Sequence, residues 1–152
     1  MALSREARLM SGLTLITVPT IMFGGMVMLG VLTHGVAGKP PDGRLLTLDP
    51  TQIALFRAGH AHAGVWVLLS LVIQILLDSA NLSSIWKWAA RIGAPLAAVA
   101  VSGGFFGLAF DIEFRWLVYL GAACLAFVVL TTAWACCAEP TEARSRFGAA
   151  TR

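Results

Sequence analysis

Charge is what this sequence has least of. Of 152 residues only 11 are Lys or Arg and 8 are Asp or Glu, which is 12% of the chain, whereas 58% are apolar. A soluble domain carries about 25% charged residues, so a water-soluble globular fold is excluded. The basic residues stand singly at the ends of apolar runs and form no face or tract, and the net charge of +3 therefore does not mark a nucleic-acid partner. The three cysteines, Cys124, Cys136 and Cys137, make no disulfide framework, because one falls inside an apolar run and the other two are adjacent. They read as free thiols. No phosphate-cradling loop and no nucleophile–base pair is visible, which disfavours a nucleotide-driven transporter or a hydrolase. Repeats and low-complexity segments are also missing.

What the sequence has is four apolar runs, at about residues 9–33, 52–77, 92–110 and 116–138. Each is long enough to cross roughly 30 Å of hydrocarbon at about 1.5 Å per residue. In lipid the backbone must satisfy its own hydrogen bonds, and unalternating runs of this length do so as helices. The sequence predicts an all-α integral membrane four-helix bundle over residues 1–138, followed by a polar tail at 139–152. Arg5 and Arg8 ahead of the first run imitate a secretory signal, but that run far exceeds the roughly 7–15 residues of a signal core, so a retained helix is expected. Pro19 predicts a kink in the first helix and a freed carbonyl at Leu15. Pro95 is expected in the first turn of the third helix, where its missing N–H costs nothing. Gly103 and Gly107 form a small-xxx-small pair that would admit a close neighbour.

Orientation follows from the basic residues. Arg5, Arg8, Lys87, Arg91, Arg144, Arg146 and Arg152 fall on one side, against Lys39, Arg44, Arg57 and Arg115 on the other. The richer side goes inward, so both termini are expected in the cytoplasm. Trp86 and Trp88 at the inner edge and Trp116 at the outer edge fit interfacial anchors.

All three histidines fall on the outer half: His34 at the end of the first helix, His60 and His62 near the start of the second. The stretch from Ala63 to Leu77 gives only about 22 Å of helix, too little to span alone. The second helix must therefore reach back through both imidazoles, with Arg57 snorkelling outward. Ionisable groups at such depth are candidate functional sites. Positions 60 and 62 are about 200° apart around a helix and cannot share a face. Three chemistries fit. Heme could be held between His34 and His60 or His62, with propionates on Arg44, Arg57 or Arg115. A transition metal, copper or iron, could take His60 or His62 with Asp111 and Glu113 from the short third loop. A proton or quinone site could use a histidine beside a carboxylate. A bundle without any cofactor fits these residues equally well, and the acids of the third loop could instead pair with Arg57 or Arg115.

The stretch LFRAGHAHAGVWVLLSLVIQILL, from Leu55 to Leu77, resembles the second membrane helix of heme-copper oxidase catalytic subunits and of NnrS-type heme and copper membrane proteins. The resemblance implies a heme or metal ligand at His60 or His62. It covers about 25 residues, and with three histidines in the chain it implies a half-site and not an oxygen-reducing centre. In composition the chain also resembles small four-helix membrane proteins of high-GC bacteria, which places it in a bacterial inner membrane. Met22 and Met26 share a face but read as packing. Gln74 and Asp78 are expected to hydrogen-bond across helices without a catalytic role. Two functions follow: a heme- or metal-binding redox module, or a non-catalytic accessory subunit of a larger, possibly respiratory, membrane complex. Its partners would be the lipid bilayer and either further copies of itself or partner membrane subunits.

Overall fold

The structure, a computed structural model, describes residues 3–32, 48–110 and 112–138. His34, Lys39, Arg44, Asp111 and the tail at 139–152 lie outside the described residues. The described chain runs α1 (Arg5–Ile16), α2 (Val18–Leu32), α3 (Pro50–Ser79), α4 (Ser84–Ala109) and α5 (Arg115–Cys137), with no strand among the described residues. Helices α1 and α2 form one interrupted span, and the four resulting segments are each long and apolar enough to cross a membrane.

Local chemistry sets the boundaries. Ser4 caps α1, its side chain accepting from the Ala7 N–H at 3.1 Å. Asp49 and Gln52 form a reciprocal capping box at the start of α3, with Pro50 in the first position, where a proline loses no bond. The first span breaks at Thr17, two residues before Pro19. There the Thr17 hydroxyl donates to the Thr14 carbonyl at 2.6 Å, and the Thr17 N–H turns towards the carbonyls of Thr14 and Leu15. The expected kink is thus a break between two helices, with Leu15 at its edge.

The largest departure from the sequence reading is α4, which starts at Ser84 and not near residue 92. The segment around Trp86, Lys87 and Trp88 is helical although it is too polar to continue the apolar run. Pro95 consequently lies inside the helix, and its missing N–H does have a cost, because the carbonyl of Arg91 one turn earlier loses its partner. Gln74 of α3 supplies the replacement, its Nε2 donating to that carbonyl at 2.9 Å.

Helices α3, α4 and α5 pack side by side in antiparallel order around Ile73, Leu77, Ala90, Ala94, Val128 and Ala135. Between membrane helices such packing is van der Waals contact made possible by small residues. Gly104 and Gly121 are needed for it: a Cβ at Gly104 would stand 3.0 Å from the Val118 nitrogen, and one at Gly121 2.9 Å from the Val101 nitrogen. Of the expected pair, Gly107 is packed against the Phe114 side chain whereas Gly103 faces open space, so Gly104 takes its place in the close approach. The first span is a looser cover. Its buried residues are Ala7, Met10 and Thr14 in α1, and between it and α3 and α4 lies an apolar cavity of about 460 Å³ bordered by Thr17, Ile21, Ser70 and Pro95.

Candidate functional site along α3

Helix α3 carries His62, Trp66, Ser70, Gln74 and Asp78 at successive intervals of four, a row that winds about 160° around the helix from first to last. Both ends of the row meet α4. His62 lies 5.0 Å from the Phe105 ring, and Gln74 and Asp78 both bond to Arg91. Polar or ring contacts therefore stand at both ends of the α3–α4 seam. The interhelical bonds expected of Gln74 and Asp78 are present.

At one end three elements converge. Arg91, counted above among the basic residues of the inner side, is 3% exposed. Its Nη1 donates to the Gln74 carbonyl at 3.3 Å and to Gln74 Oε1 at 3.2 Å, and its Nη2 pairs with Asp78 Oδ1 at 2.5 Å. Asp78 in turn accepts from the Ser4 N–H at 2.8 Å and the Ser4 hydroxyl at 2.7 Å. A guanidinium out of water survives only with such a complete set of acceptors. The network also pins the start of the first span to the end of α3. Beside it opens a polar cavity of about 490 Å³ that includes Glu6, Asp78, Ser84, Lys87 and Trp88 in its walls.

Between the two ends some buried polar atoms are unsatisfied within the protein. Trp66 Nε1, Ser70 Oγ and, on α4, Ser102 Oγ are buried without a hydrogen-bond partner in the protein; Thr132 Oγ1 on α5 is a fourth such atom. Each costs about 1–3 kcal/mol if left so. Ser102 sits one turn from Phe105 towards Arg91, which in the antiparallel register places it at the level of Trp66.

At the other end the two imidazoles diverge, as their angular separation requires. His62 Nδ1 lies 2.7 Å from the carbonyl oxygen of Ala58. A carbonyl can only accept, so Nδ1 carries a proton, and in the neutral ring the lone pair is then on Nε2. The ring is half-buried between Phe105 and Trp66. His60 faces α2 instead, so close to Gly25 that a Cβ there would stand 2.9 Å from the imidazole. Arg57 is exposed. Glu113 pairs with Arg115 at 3.5 Å, both side chains being largely exposed. Among the described residues no three His, Cys, Asp or Glu side chains gather as a metal site. Cys124, Cys136 and Cys137 are free, with Cys124 Sγ 3.5 Å from the Gly93 carbonyl.

These features define a class: a chain whose described residues are helical, with four segments able to cross a membrane and a polar network buried between two of them. No family model, curated protein or solved structure matches the chain.

Proposed function

We propose that the bundle is inserted in a bacterial inner membrane with both termini in the cytoplasm, and that it serves as a redox or metal-binding module in which an imidazole of α3 ligates heme or a transition metal, copper or iron. The observation that carries this is the 2.7 Å contact from His62 Nδ1 to the Ala58 carbonyl. It fixes the ring and frees Nε2, which is how metal-bound histidines are held, with the second nitrogen anchored to a carbonyl or carboxylate. His60 and His62 face different helices, so one chain offers each site a single imidazole of α3. The remaining ligand comes from His34, from Asp111 or Glu113, or from a second copy or partner subunit, and Arg57 is free to receive a propionate. The test is a visible spectrum of the detergent-purified protein, oxidised and reduced, together with metal analysis. A Soret band or a bound metal lost in His62→Ala supports the proposal, whereas a colourless, metal-free protein overturns it.

A second function is favoured by the first span. Met22, Phe23, Met26 and Val27 are all exposed apolar side chains of α2, a face suited to partner helices as well as to lipid. In this role the chain is an accessory subunit of a larger membrane complex, and copurification from native membranes identifies the partner.

A further inference from the structure

We infer that the polar cavity beside Asp78 is a seat for the phosphoethanolamine headgroup of a membrane lipid. Helix α1 begins at Arg5, α3 ends at Ser79 and α4 begins at Ser84, so the cavity among them stands at one end of the bundle, the headgroup level of a bilayer that the spans cross. On the α4 side Ser84, Lys87, Trp88 and Arg91 border it, and their intervals of three and four put them on one helix face. On the α1 side Glu6 follows Ser4 by two residues, and the bonds from Ser4 to Asp78 hold that first turn against α3. The volume of about 490 Å³ is room for a whole headgroup, since one water takes up only about 30 Å³.

The charges on the walls select what fits. Asp78 and Arg91 answer each other directly. What is left is one cation and one anion from different helices: Lys87, half-buried, and Glu6, exposed. Among the described residues neither has an ion pair or a side-chain hydrogen bond. Two opposite charges that border one cavity and are not paired with each other complement a ligand carrying both signs. In phosphoethanolamine the phosphate accepts from the Lys87 ammonium and the Ser84 hydroxyl, charge-assisted bonds of the stronger kind, while the terminal ammonium donates to the Glu6 carboxylate. A phosphoglycerol headgroup brings an anion and no cation, which leaves Glu6 repelled. A phosphocholine headgroup carries both charges but has no N–H to donate. The occupant is a lipid and not a free zwitterion because Leu82 adds an apolar wall and Ile85, Trp86 and Trp88 are exposed on the adjoining turn of α4, where aromatic side chains seat at the membrane–water interface.

The seat needs no metal, and its test involves none. The full-length protein is purified in detergent and titrated with dioctanoyl lipids carrying each of the three headgroups, and bound adducts are counted by native mass spectrometry. The wild type is expected to hold the phosphoethanolamine lipid about fivefold more tightly than the other two, the scale of one ion pair near a surface. Glu6→Gln should remove the preference over the phosphoglycerol lipid, and Lys87→Gln should weaken the binding of all three. Both changes alter side chains that have no partner among the described residues, so the helical content read by circular dichroism should stay that of the wild type. Free phosphoethanolamine at the same concentration should not displace the lipid. The inference is overturned if no adduct forms, if the wild type holds either other lipid as tightly, if either variant binds like the wild type, or if the free zwitterion displaces the lipid.

Discussion

The two ends of α3 use the same kinds of residue to opposite effect. At the Asp78 end, Ser4 and side chains of α3 and α4 converge until both terminal nitrogens of Arg91 and both carboxylate oxygens of Asp78 have partners. At the His62 end, two imidazoles two residues apart are sent to different neighbours, one against Gly25 and the other against Phe105. Convergence is how a membrane bundle tolerates a charge. Divergence, with one nitrogen anchored and the other bare, is how it keeps a side chain available for a ligand. The comparison assigns stability to the first end and chemistry to the second.

The sharpest way to break that assignment is at Arg91. Arg91→Ala leaves the Asp78 carboxylate without its ion pair and should destabilise the bundle by roughly 3–5 kcal/mol, read as thermal unfolding in detergent. His62→Ala should cost far less, and if it unfolds the protein as readily as Arg91→Ala the two ends are not distinct. A smaller effect, about 1–3 kcal/mol, is expected for Gln74→Leu, which strips the Arg91 carbonyl of the donor that Pro95 cannot supply. Adding Pro95→Ala to that variant restores a backbone N–H and should recover part of the loss. Equal stability of the single and double variants would show that Gln74 does not compensate for the proline. Ser4→Ala removes the cap of α1 and the hydroxyl bond to Asp78; a cap alone is worth about 0.5–2 kcal/mol. Its effect should appear first as faster hydrogen exchange in α1, with α4 and α5 unchanged. Smallest of all is Gly25→Ala, which displaces the His60 ring and should shift a His60 signal while leaving that of His62 in place.

The four spans were legible because length and hydropathy alone decide whether a segment can cross lipid. The start of α4 was not, since Trp86 and Lys87 extend the helix beyond its apolar part and only the packed structure reveals Pro95 as an interior residue. The divergence of His60 and His62 followed from helical geometry. The burial of Arg91 did not: a lone arginine near the end of an apolar run has the same sequence signature whether it faces headgroups or acceptors on Gln74 and Asp78 of a neighbouring helix. Ser70 and Trp66 were hidden for another reason. Each is unremarked in an apolar helix, and only the packed structure shows Trp66 Nε1 and Ser70 Oγ buried without a partner in the protein.

The metal-ligand proposal depends on which nitrogen of His62 bears the hydrogen. Nitrogen NMR of isotope-labelled histidine, assigned with a His62→Gln variant, reads this at neutral pH. The account predicts a protonated Nδ1 held on the Ala58 carbonyl and an Nε2 that is bare or metal-bound. A protonated Nε2 beside an unprotonated Nδ1 would contradict it, because the ring would then have no free ligand atom on its exposed side.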